Sequence, residues 1–121
     1  MKKRVLVVDD DELVLTAIAE LLGTRGFIVE GCTSAKEALE KVEKQDFDLM
    51  ILDIIMPEMD GFELCKRLRE IEQFCETPII MLTAKTSEED RKRGLEVGAN
   101  LYVTKPISPQ RLLELVEDIL A

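Results

Sequence analysis

Polar side chains follow apolar runs at the places where a strand would end. Asp9 and Asp10 follow Val5-Leu6-Val7-Val8, Asp53 follows Leu49-Met50-Ile51-Leu52, Thr83 follows Ile79-Ile80-Met81-Leu82, and Lys105 follows Leu101-Tyr102-Val103-Thr104. Three carboxylates, a hydroxyl and an ammonium are the ingredients of a site for phosphate and a hard cation. Two like charges about 4 Å apart repel by roughly 4 kcal/mol at an effective dielectric near 20, so clustered carboxylates call for a cation. The chain has no histidine and no thiolate cluster, and an all-oxygen donor set favours Mg²⁺, which keeps several waters and shares its shell with phosphate. The Thr83 hydroxyl can bond a phosphate oxygen, and the Lys105 ammonium can pair with a carboxylate or a phosphate. Taken singly, these are weak signals. Threonine is common in strands, strand-end lysines are usually solvated, and Asp11 suits a helix N-terminus by charge alone.

What gives them weight is the set of elements that must position them. Five short apolar runs, at 4–8, 27–32, 48–52, 78–82 and 100–104, alternate with amphipathic stretches. A continuous run such as 49–52 reads as a strand buried on both faces, and Pro57 marks the loop beyond Asp53. Between the runs, apolar residues recur at helical spacing: Val14, Ala17, Ile18, Leu21 and Leu22; Ala35, Ala38, Leu39 and Val42; Phe62, Cys65, Leu68 and Ile71; Leu112, Leu113, Val116, Ile119 and Leu120. Ser34 with Glu37 and Asp60 with Glu63 fit capping boxes, Ser108-Pro109 fits an N-cap with proline at the first helical position, and Gly26 and Gly98 suit helix ends. The stretch 87–94 has no large apolar residue before Leu95, so its helix is weakly held and is read either as a mobile element or as a solvated surface helix.

The expected architecture is α/β: a flavodoxin-like (βα)5 doubly wound parallel sheet of strand order 2-1-3-4-5, with residues 1–121 as one domain. Ligands sit at the carboxyl ends of such strands where the order reverses, between the first and third strands. Asp9, Asp10 and Asp53 converge there, and Thr83 and Lys105 point to the same rim.

Composition narrows the function. Hydrophobic residues at 46% and charged residues at 34% of 121 describe an ordinary globular protein. A formal net charge of -9 argues against direct binding of nucleic acid. No membrane or export segment is read, since the apolar part of the N-terminus stops at Asp9. Cys32, Cys65 and Cys75, an odd number lying in or beside apolar patterns, read as reduced and structural, hence a cytoplasmic protein. The lack of histidine removes the usual zinc sites and histidine-based catalysis.

These residues resemble, over essentially the whole chain, a receiver domain of two-component response regulators. The resemblance rests on Asp9-Asp10 after the first strand, Asp53 before Met56-Pro57 and Asp60-Gly61, Thr83-Ala84 after the fourth strand, and Lys105-Pro106 after the fifth. It implies that Asp53 is a phosphoacceptor served by a sensor histidine kinase, a phosphotransfer protein or a small acyl phosphate. It also implies Mg²⁺, or Mn²⁺ in its stead, on Asp10, Asp53 and the backbone carbonyl of Ile55, with Asp9 acting largely through water. Lys105 would bridge Asp53 and the phosphoryl oxygens, Thr83 would swing toward phosphate, Tyr102 would be the aromatic switch, and the Lys105-Pro106 bond would be cis. Without the resemblance, Tyr102 reads as a half-buried edge aromatic with a wet hydroxyl.

The resemblance further implies a signalling domain rather than an enzyme, apart from catalysis of its own phosphorylation and dephosphorylation. Its output surface would be the fourth helix, fifth strand and fifth helix, acting on a downstream protein, a covalently linked effector or a second copy in a phosphorylation-dependent dimer. Apolar Ile55, two residues beyond Asp53, would shield the phosphoryl group from water. A haloacid-dehalogenase-like phosphohydrolase would want a second acid at position 55, and an FMN carrier would not place Asp9-Asp10-Asp11 where phosphate binds. A pseudo-receiver is disfavoured by the complete residue set.

Overall fold

A computed structural model describes residues 2–121. Five strands, β1 (Arg4–Val8), β2 (Ile28–Cys32), β3 (Leu49–Leu52), β4 (Ile79–Thr83) and β5 (Leu101–Thr104), form one parallel sheet in the order β2-β1-β3-β4-β5. Each strand is followed by a helix: α1 (Glu12–Gly23), α2 (Ala35–Val42), α3 (Gly61–Glu70), α4 (Glu88–Glu96) and α5 (Pro109–Leu120). This is the flavodoxin-like arrangement expected from the alternation of apolar runs.

Side chains alternate across each strand, and this divides the core in two. Val5, Val7, Leu49, Ile51, Ile80 and Leu82 pack with Ile18 and Leu22 of α1 and Leu112, Leu113 and Val116 of α5. Leu6, Val8, Met50, Leu52 and Met81 face the other way, against Ala38 of α2 and Phe62, Cys65 and Leu68 of α3. Both faces of β3 are covered, which is why Leu49 to Leu52 are all buried and read as an unbroken apolar run.

Helix starts follow their side-chain acceptors. Ser34, Asp60 and Ser108 accept from the amides of Glu37, Glu63 and Arg111, and Asp11 and Ser87 cap α1 and α4 in the same way. Gly26 and Gly98 take positive φ at the turns after α1 and α4.

Two features depart from the sequence pattern. A short 3-10 turn, Glu72–Phe74, buries Phe74 behind α3. Arg69 ties this turn to the α4–β5 connection by donating to the carbonyls of Phe74, Thr77 and Gly98 and to Asn100 Oδ1. In α4, Leu95 is 48% exposed, and the buried residue of that helix is Gly94. The helix lies against Tyr102 and Met81 through a glycine, because its aliphatic side chain points to solvent.

Candidate functional site

Strand register builds the site. Val8 pairs with Cys32 on one side and Leu52 on the other, so the residues that follow β1 and β3 emerge side by side. The Asp9 amide donates to the Cys32 carbonyl at 3.0 Å, and the Asp53 amide donates to the Val8 carbonyl at 2.9 Å. This fixes both carboxylates at the gap where the strand order reverses. On the other side of β3, Thr83 is level with Thr104, and the Lys105 amide donates to the Thr83 carbonyl at 2.7 Å.

Carboxylate oxygens of Asp9, Asp10 and Asp53 all lie within 4.8 Å of one another. Asp9 and Asp53 are only 3% and 6% exposed, while Asp10 stands open to solvent. Lys105 bridges the buried pair, its Nζ 2.6 Å from Asp9 Oδ2 and 3.2 Å from Asp53 Oδ2. Burial pushes the Asp9 carboxyl above the usual range for aspartate, against the opposing pull of Lys105 and the Asp11 amide. For Lys105, burial works against the charge, but the hydrogen bond to Asp9 and the attraction of both aspartates outweigh it and raise the ammonium above the usual lysine range.

The donor set fits a hard divalent cation. It is all oxygen, it carries more negative charge than Lys105 alone can balance, and Asp10 leaves it open on the solvent side. Both Asp9 oxygens are already engaged, Oδ1 by the Asp11 amide at 2.9 Å and Oδ2 by Lys105. Asp53 Oδ1 accepts from the Ile55 amide at 3.2 Å, and Ile55 is 50% exposed.

The remaining rim residues form a connected group. Thr83 is fully buried, and its Oγ1 faces the Lys85 amide at 3.4 Å. Tyr102, 6% exposed, donates from its hydroxyl to the Lys85 carbonyl at 2.9 Å, so the hydroxyl is not the wet group that an edge strand suggests. Burial, then the nearby charge of Asp90, raises the phenol above its ordinary range. The Lys105-Pro106 bond is cis.

Gly61 was legible only as the start of a helix. A Cβ there would overlap the Asp53 carbonyl oxygen and lie 2.7 Å from Ile54 Cα, so a glycine lets α3 begin directly against the backbone that carries Asp53. The Gly61 amide donates to the Ile54 carbonyl at 3.0 Å. Asp60-Gly61 signals a cap in sequence, and nothing in that dipeptide reveals the close approach. Cysteine usage is also corrected in part: Cys32 and Cys65 are buried, but Cys75 is exposed because Phe74 takes the inward position of the 3-10 turn. All three thiols are free. No helix among the described residues is long and apolar enough to cross a membrane.

Comparison with known proteins gives a consistent result. A family model described as response regulator receiver domain matches residues 5–117. The alkaline phosphatase synthesis transcriptional regulatory protein PhoP of Bacillus subtilis (strain 168) is 44% identical over 120 residues, which are 99% of this chain and 49% of that protein. The probable transcriptional regulator ycf29 of Porphyra purpurea is 38% identical over 120 residues, 99% of this chain and 57% of that protein. The chain thus spans about half the length of these relatives. Among solved structures, the chemotaxis response regulator CheY4 of Vibrio cholerae superimposes with a TM-score of 0.93 at 38% identity, over 98% of this chain and 99% of that one.

Proposed function

This chain belongs to the response regulator receiver domain family, and from that premise we propose that it is a phosphoacceptor switch whose acceptor is Asp53. The phosphoryl donor is the phosphohistidine of a sensor histidine kinase or of a phosphotransfer protein, or a small acyl phosphate. An Asp53 carboxylate oxygen forms the new O–P bond as the donor's P–N or P–O bond breaks, and the imidazole or carboxylate leaves with the electron pair.

Asp10 and Asp53 with the Ile55 carbonyl would hold Mg²⁺, or Mn²⁺ in its place, with Asp9, in the same carboxylate cluster, acting largely through water. When bound, the cation offsets the charge that accumulates on the transferring phosphoryl oxygens. Lys105 holds Asp53 in place beforehand and follows the charge onto the phosphoryl oxygens. Phosphorylation adds about -1.5 to -2 of charge and strong acceptors. Thr83 exchanges its contact with the Lys85 amide for a phosphoryl oxygen, and the Lys85 segment transmits the change to Tyr102.

The face made of α4, β5 and α5 reads out this state to a cytoplasmic partner, to an effector joined in the same polypeptide, or to a second copy of the chain. Residues 1–121 act as one domain in this. The observation that carries the reading is the buried Asp53 bridged by Lys105 to Asp9, with open Asp10 beside them.

Intact mass after incubation with acetyl phosphate is the test, with and without Mg²⁺, on the wild type and on Asp53→Ala. The expected result is one phosphoryl adduct that needs both the metal and Asp53. A folded wild type that takes no phosphoryl group from acetyl phosphate or from a cognate phosphohistidine donor overturns the reading.

A further inference from the structure

Tyr102 is the only tyrosine of the chain, which has no tryptophan. Its ring is buried although β5 is an edge strand of the sheet. Helix α4 holds it there. Gly94 faces the ring so closely that a Cβ would lie 2.8 Å from Tyr102 Cδ2 and 3.2 Å from Cε2. One turn earlier, the Arg91 guanidinium carbon sits 5.2 Å from the ring centroid, and Arg91 Nη1 donates to the Tyr102 carbonyl at 3.1 Å.

Glycine inside a helix is ordinarily a liability compared with alanine. At Gly94 the nearest atoms to an added methyl belong to an aromatic side chain that can rotate about χ1, so the methyl would act on the Tyr102 rotamer before it acted on backbone. The ring in turn anchors the segment after β4 through the Lys85 carbonyl, and the Lys85 amide faces Thr83.

We propose that Gly94 and Arg91 form a seat on α4 that selects the inward position of Tyr102 and thereby regulates the switch. What the seat regulates rests on the receiver reading. The seat itself is a contact within the chain and is measurable without any phosphodonor.

The experiment is acrylamide quenching of tyrosine fluorescence on the full chain, free of metal and phosphodonor. Gly94→Ala is expected to raise the quenching constant toward that of the urea-unfolded chain, and Arg91→Ala to raise it less. Gly23→Ala, whose added methyl meets nothing within 4 Å, is the matched control and leaves it unchanged. An unchanged constant in folded Gly94→Ala overturns the seat. The same substitution in a Tyr102→Ala background separates the ring from other obstacles. There the thermal midpoint is expected to rise, since helix propensity acts unopposed once the ring is gone. An equal fall in both backgrounds, or a double variant that does not fold, overturns the seat as well. Phosphoryl uptake by mass on the same proteins keeps the two ideas apart: uptake with unaltered quenching refutes the seat alone, and altered quenching without wild-type uptake refutes the receiver reading alone.

Discussion

Lys105 Nζ lies closer to Asp9 Oδ2, at 2.6 Å, than to Asp53 Oδ2, at 3.2 Å. The ammonium is therefore shared between two buried carboxylates and is the one cation bonded to either of them among the described residues. Lys105→Met is expected to lower stability in EDTA by about 2 kcal/mol, less than the ~3–5 kcal/mol of breaking a fully buried pair because the lysine is partly exposed. With Mg²⁺ the loss should shrink, since a more negative site binds the ion more tightly and binding stabilises the fold by mass action. Urea midpoints in the two buffers measure this. An equal loss in both, or none in EDTA, contradicts the shared-cation account.

Gly61→Ala is expected to cost about 2–3 kcal/mol, because the methyl meets backbone that cannot rotate aside. It should also slow phosphoryl uptake, since the backbone that yields is that of Asp53 and Ile54. Urea denaturation gives the first quantity and the rate of mass gain with acetyl phosphate the second. A stable variant with wild-type uptake would show that the loop relaxes without cost.

How much of this was visible in the sequence depended on what kind of signal each residue left. Strand ends were legible because β1, β3 and β4 are buried on both faces, and an unbroken apolar run that stops at Asp9, Asp53 or Thr83 locates the rim directly. Strand boundaries moved by one residue at β2, β3, β4 and β5: Phe27, Asp48, Pro78 and Asn100 lie outside the strands, and Thr83 lies inside β4. Helix α4 was read from side chains as burying little apolar surface, and Leu95 is indeed 48% exposed. Its true contact was hidden, because a glycine that packs and a glycine that is merely tolerated look the same in sequence. The same blindness hid the role of Gly61. Tyr102 could be placed on β5, but its buried hydroxyl depends on Lys85, a residue on another element that no local pattern connects to it.

Ile55 is half exposed directly beyond Asp53, with its amide on Asp53 Oδ1. An apolar side chain there offers no hydrogen bond to orient a water. Ile55→Asn keeps the backbone contact and adds an amide that can hold a water, so autodephosphorylation is expected to speed up by no more than about tenfold, equivalent to ~1.4 kcal/mol of barrier. The decay of the phosphoryl adduct after removal of the donor reports this. An unchanged or slower decay would mean that access of water to Asp53 is set elsewhere.

The two buried thiols are expected to weaken the fold in alkali. Burial, then the charge of Glu37, pushes Cys32 up to about 12, and burial pushes Cys65 up to about 11, from an ordinary value near 9.0. Above pH ~9 the unfolded chain releases these protons while the folded chain keeps them, so folding binds protons and stability falls as pH rises. The contribution is complete below the ordinary thiol value and is lost as pH climbs through about 11 for Cys65 and about 12 for Cys32. The raised Tyr102 phenol acts in the same direction. The urea midpoint is therefore expected to stay level near neutral pH and to decline above pH ~9. Cys32→Ala should lower the neutral value through the cavity it leaves, yet make the alkaline decline shallower. Cys75, at an exposed site, should alone react with iodoacetamide while the protein stays folded. An alkaline slope as steep in Cys32→Ala as in the wild type would place the titration on other groups.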